Sequence, residues 1–158
     1  MATTPYSARA YWLARIVREA DALLDASLSR FEITGAQWRA FSLVLAGRAD
    51  TIRGLAAALQ VDGAAATRLV DRLEAKGFVA RQPDPRDRRS VVVTATAPAR
   101  RLAGDIEAIA NAAEADFFER VGGRDLKAID RAIAALTVGH GLGRVTKSGN
   151  LRPPKPAG

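Results

Sequence analysis

Between Ala8 and Phe31, apolar side chains return at three- and four-residue steps: Leu13, Ile16, Val17, Ala20, Leu23, Leu24, Leu28 and Phe31. Arg15, Arg18, Glu19, Asp21 and Asp25 stand between them. That period is helical and predicts one long amphipathic helix. Thr34, with Gln37 three residues later, has the form of a capping box, in which hydroxyl and amide satisfy N–H groups of the first turn. It opens a second helix through Trp38, Phe41, Leu43, Val44 and Leu45, which Gly47 and Asp50 stop. A short alanine-rich helix follows over about 52–59. Asp62 is placed to cap the next helix and Gly77 to end it, with Ala66, Leu69, Val70 and Leu73 in one stripe.

The period then changes. Phe78–Gln82 and Ser90–Thr94 are β-branched or apolar runs separated by a loop that is nearly all charge and proline, which predicts a hairpin. Pro98 is suited to the first position of a helix reaching about Val121, with Leu102, Ile106, Ile109, Ala110, Ala113 and Phe117 on one side. Gly122 and Gly123 end it, and a last helix is expected over 125–138. The fold class is therefore mainly α with a small β-hairpin: a winged helix-turn-helix lobe flanked by helices at both ends. The expected parts are an N-terminal helix over 8–31 and the winged lobe over 34–97, with its recognition helix at 62–76 and wing at 78–96. C-terminal helices follow over 98–138, then a frayed basic tail over 139–158. The flanking helices offer long apolar stripes to one small core. Pairing with a second copy would cover them, making them dimerisation helices; an intramolecular bundle satisfies the same periodicity.

Composition narrows the chemistry. In 158 residues, 48% hydrophobic and 26% charged, a folded core is affordable and wholesale disorder is not expected. There is no cysteine, which excludes disulfides, thiolate zinc sites, iron–sulfur clusters and thiol-based oxidation sensing. The single histidine, His140, reads as a helix-end residue, so neither a metal nor a cofactor is expected. No apolar run approaches the roughly 20 residues that span a bilayer, and Met1–Tyr11 lacks the order of a signal peptide. The expectation is a cytoplasmic protein without a membrane partner. The net charge of +7 is unevenly held: residues 76–101 carry seven basic and two acidic side chains, and residues 144–158 carry four basic and none acidic. Such blocks mark a surface for a polyanion.

With Ala66, Leu69, Val70 and Leu73 facing the core, Ala64, Ala65, Thr67, Arg68 and Arg72 face outward. A face of small residues with one hydroxyl and one guanidinium fits a major groove. Alanines can meet thymine methyls and Arg68 a guanine edge, so Ala64, Ala65, Thr67 and Arg68 are the candidate base readers. Arg53 and Arg72 are candidates for phosphate contact. Arg86, Arg88 and Arg89, on a loop stiffened by Pro83 and Pro85, suit a narrow minor groove.

The stretch Ala65–Val79, followed by Arg81 and Asp84–Ser90, resembles the recognition helix and wing of the MarR family of dimeric winged-helix transcription regulators. The resemblance runs over about residues 8–140 and is most specific at Asp87-Arg88-Arg89. It implies that Arg89 enters the minor groove, that Asp87 helps hold the wing, and that Asp71 and Arg89 form an orienting pair. In one respect the sequence departs from the family. Thr94-Ala-Thr-Ala-Pro98 stands where a Leu-Thr and a glycine usually close the wing. The family also implies a small aromatic or phenolic effector bound between the DNA-binding lobe and the dimerisation helices. Tyr11, Trp12, Arg15, Trp38, Phe41 and Phe117 are the candidate lining, each also readable as ordinary core.

The function expected is a homodimeric, sequence-specific DNA-binding repressor on a pseudo-palindromic duplex operator, released by an aromatic ligand. A nucleoid-type protein that coats DNA with little sequence preference is the alternative, and a winged helix used for protein contact is a third reading. No enzyme is expected: Gly139-His-Gly-Leu-Gly143 has no preceding strand, and Walker, Gly-x-Ser-x-Gly and His-Glu-x-x-His motifs are missing.

Overall fold

The computed structural model describes residues 8–84, 91–145 and 151–152, with side chains described for 8–84 and 91–143. Six α-helices carry these residues: α1 Arg9–Leu28, α2 Gly35–Leu45, α3 Ile52–Leu59, α4 Gly63–Ala75, α5 Ala97–Phe118 and α6 Gly123–Gly139. A 3-10 turn, Ser29–Phe31, closes α1. Strands β1 Val79–Pro83 and β2 Val91–Ala95 pair antiparallel, in a register running from Val79 opposite Ala95 to Pro83 opposite Val91.

Local chemistry accounts for most of the boundaries. Thr34 Oγ1 accepts from the Gln37 N–H at 3.2 Å and Gln37 Oε1 from the Thr34 N–H at 3.1 Å, so the capping box opens α2. Thr51 caps α3 by accepting the Gly54 N–H at 3.0 Å, and Asp62 caps α4 by accepting that of Ala65 at 2.7 Å. Gly77 ends α4 at φ +74°, a left-handed conformation that lets the Phe78 N–H return to the Leu73 carbonyl at 2.8 Å.

Two expectations shift at the start of α5. Ala97, not Pro98, is its first residue, and the Thr96 hydroxyl accepts the Ala99 N–H at 3.3 Å. A threonine cap satisfies the first turn, and proline at the second position still removes only an N–H with no partner inside the helix. The second wing strand also reaches Ala95, one residue beyond the end of its β-branched run.

The chain divides into two compact units, Met1–Phe117 and Phe118–Gly158. In the first, Phe41, Leu28, Leu55, Leu73, Ile106 and Val70 are wholly buried and join α1 through α5 in one core. The Phe78 ring meets Phe41 edge to face at 5.2 Å, seating the start of the wing on α2. The Val93 N–H donates to the Asp50 carbonyl at 2.6 Å, tying β2 to the segment that leads into α3. The apolar stripe of α1 is only partly used. Leu28 is buried and Leu24 packs against the core, whereas Trp12, Leu13, Ile16 and Val17 are 49, 52, 48 and 57% exposed.

In the second unit, α6 ends at His140, which occupies its C-cap. Ile133, Leu136 and Val138 are exposed. The expected frayed tail is corrected in part: Arg144–Val145 (β3) and Leu151–Arg152 (β4) pair antiparallel, Arg144 opposite Arg152. Among the described residues no helix is long and apolar enough to cross a membrane.

Candidate nucleic-acid interface

Helices α3 and α4 form a helix-turn-helix. The turn is made by Gln60 at φ 55° and by the Val61 N–H donating to the Ala56 carbonyl at 3.0 Å. Ala66, Val70 and Leu73 anchor α4 in the core, with Leu69 packed against it. This rotation leaves Ala64, Thr67, Arg68 and Arg72 exposed, whereas Ala65, expected to face outward with them, is half-buried. Thr67 Oγ1 donates to the Gly63 carbonyl at 2.8 Å. Its hydroxyl proton is thereby used within the helix, and the oxygen is left to accept. Arg53 is exposed on α3.

Helix α4 is clamped to β1 by one arginine. Arg81, on β1, donates its N–H to Glu74 Oε1 at 2.9 Å, its Nη1 to Glu74 Oε2, and its Nη2 to Asp71 Oδ1 at 2.5 Å. The Arg81 N–H and guanidinium hold the Glu74 carboxyl below its ordinary 4.5, and the bond to Asp71 holds the Arg81 guanidinium above its usual range. Asp71 thus has a wing partner other than the one expected of it. Arg89, like Arg86, Asp87 and Arg88, lies outside the described residues, so the expected Asp71–Arg89 pair falls there too. The clamp was missed in the sequence, although its signal is present. Asp71 and Glu74 are carboxylates three residues apart on an otherwise basic face, and Arg81 lies just past the helix end.

The candidate ligand-lining residues are carried by α1, α2 and α5. Phe41 is corrected: at 0% exposure, with its ring between Trp38 and Phe78, it is core and lines no open cleft. Trp38 is half-buried and packs on the same core. Tyr11, Trp12 and Arg15 lie on the exposed part of α1, where an open hollow is lined by Tyr11, Arg15, Arg18 and Glu19. Phe117 is half-buried near the end of α5. No group of side chains suited to holding a metal occurs among the described residues.

Residues 31–90 match the model of the MarR family. Solved structures resemble the chain over most of its length. BpsR of Bordetella bronchiseptica, whose DNA binding is regulated by 6-hydroxynicotinic acid, matches at a TM-score of 0.77 and 21% identity, over 87% of this chain and 98% of that one. A mutant MarR of E. coli complexed with operator DNA matches at 0.72 and 25% identity, over 79% and 90%. CouR of Rhodococcus jostii RHA1, bound to p-coumaroyl-CoA, matches at 0.71 and 24% identity, over 85% and 95%.

Proposed function

We propose that this protein is a winged-helix DNA-binding regulator of the MarR family and acts as a homodimeric repressor that leaves a pseudo-palindromic operator when a small aromatic ligand binds. Members of the family are transcription regulators, not enzymes. The observation that carries the reading is the outward face of α4. Ala64, Thr67 and Arg68 stand exposed on its N-terminal half, a small surface with one acceptor oxygen and one guanidinium, sized for base edges in a major groove. Arg53 and Arg72 flank it for phosphates, and Arg86, Arg88 and Arg89 supply the charge for a minor groove.

The dimer is supported by the half-exposed stripe of Trp12, Leu13, Ile16 and Val17, which a second copy would cover. The ligand class is supported by two relatives whose ligands are an aromatic acid and an aromatic acyl thioester. Tyr11, Trp12 and Arg15 are the residues here with matching chemistry, rings for stacking beside a cation for a carboxylate.

Selection from random duplexes at physiological salt, repeated with aromatic acids present, tests this function. A specific regulator enriches a two-fold repeated sequence bound at least about 10³ times more tightly than random DNA. Equal affinity for every duplex would replace the reading with the nucleoid-type one.

A further inference from the structure

Lys76 stands at the C-terminal end of α4, where an unremarkable lysine would extend into water beside the last carbonyls. Its Nζ instead donates to the backbone carbonyl of Glu32 and, at 3.3 Å, to Oε1 of Gln37, residues 44 and 39 positions away in the chain. Both acceptors belong to the corner between α1 and α2. Glu32 holds a left-handed conformation at φ 58°, unfavourable for a residue with a side chain, and the ammonium bonds the carbonyl of that residue. Gln37 is 3% exposed, and the oxygen that takes Lys76 is the one that accepts the Thr34 N–H in the capping box.

The other side of the same corner is fastened to α1. Asp25 Oδ1 accepts the Gly35 N–H at 2.6 Å, and Arg39 bonds Asp21 at 2.9 Å. Gly35 lets the helices close. A Cβ there would stand 2.7 Å from the Cδ2 of Leu24. A continuous polar connection therefore runs from α1, through the start of α2, to the end of the recognition helix. α1 also leaves Trp12, Leu13, Ile16 and Val17 exposed.

We propose that Lys76 is a positioning residue for DNA binding: by fixing the end of α4 to the Glu32–Gln37 corner, it sets the separation of the two recognition helices in the dimer. The inference rests on the dimeric operator reading given above. It concerns geometry between half-sites rather than contact with DNA. Two recognition helices reading one duplex must match its repeat, and one added base pair turns a half-site by roughly a tenth of a helical turn.

The test measures binding of the full chain to its selected operator and to versions with one base pair inserted or removed between the half-sites. The wild type should favour the native spacing sharply. Lys76→Met should lose about tenfold on the native spacing, the scale of a lost charge-assisted hydrogen bond, and less on the altered ones, so that the preference flattens. Lys76→Arg should restore it, and Gln37→Met should reproduce the flattening with no change of charge. If Lys76→Met melts below the assay temperature, Lys76→Gln, which keeps one donor, takes its place. An equal loss at every spacing with a shallower salt dependence would make Lys76 a plain phosphate contact and overturn the inference, as would an unchanged preference. A wild type indifferent to spacing would overturn the dimeric operator reading itself, a result seen before any variant is made.

Discussion

Arg81 faces two carboxylates at once, and their cost without it is the first consequence at the scale of the residue. Asp71 and Glu74 lie three positions apart on α4, where like charges repel, and Arg81 turns that repulsion into a clamp on the wing. Glu74 titrates below 4.5 when folded, so the clamp adds stability above the unfolded value and loses it as pH falls through the folded one. Arg81→Met should lower the melting temperature at neutral pH and make it fall less steeply below pH 4.5, because the folded and unfolded values of Glu74 then converge. Melts across that range would show it; parallel curves for variant and wild type would refute the linkage. Arg68 makes a different kind of prediction, since it is exposed and no bond from its side chain holds the fold among the described residues. Arg68→Ala should leave the melting temperature unchanged and cost about 1–3 kcal/mol at one base position of the selected site, whereas Arg72→Ala should weaken all sequences alike.

The caps at Thr34 and Asp62 were legible because donor and acceptor sit within one turn of chain. The Arg81 clamp was not, because it depends on how β1 leaves the helix after Gly77. Asp71 was expected to pair with Arg89, which lies outside the described residues, and within them it is bonded by Arg81.

At the scale of the element, the joint between α1 and α2 shows what periodicity hides. The stripe from Leu13 to Phe31 reads as one continuous core face, yet only its C-terminal part packs within the protomer. Hydrophobic spacing says that a face will be covered, not by what. In place of that missing burial, α1 is fixed to α2 by polar contacts at its end, chiefly the Asp25 carboxylate on the first N–H of α2. A carboxylate at a helix N-terminus meets both a free donor and the positive end of the helix dipole. Asp25→Ala should therefore destabilise the protein by about 1 kcal/mol, and Asp25→Asn, which keeps the acceptor and loses the charge, by less. Chemical denaturation of the three proteins gives that order; equal stability of Ala and wild type would mean that the Thr34–Gln37 box alone supports the corner.

At the scale of the whole molecule, the unburied part of α1 and the charge distribution bear on the same event. A monomer showing Trp12, Leu13, Ile16 and Val17 to water would keep an apolar patch of the kind that drives association. Burying such a side chain is worth about 1.5–3 kcal/mol, and a two-fold interface counts each residue twice. Val17, the most exposed of the four, is the position where a charge separates the two cases. In an isolated protomer, Val17→Glu costs little, because the side chain already faces solvent. In a dimer closed by α1, it places two carboxylates in an apolar seam, where each must lose its hydration or force the seam apart. The expected result is a variant with the wild-type melting profile at low concentration but half the mass in light scattering. Its affinity for a single half-site should be retained and its affinity for the full operator lost, since the second recognition helix no longer arrives with the first. Unchanged mass would assign the α1 face to another partner and take the two-fold operator with it.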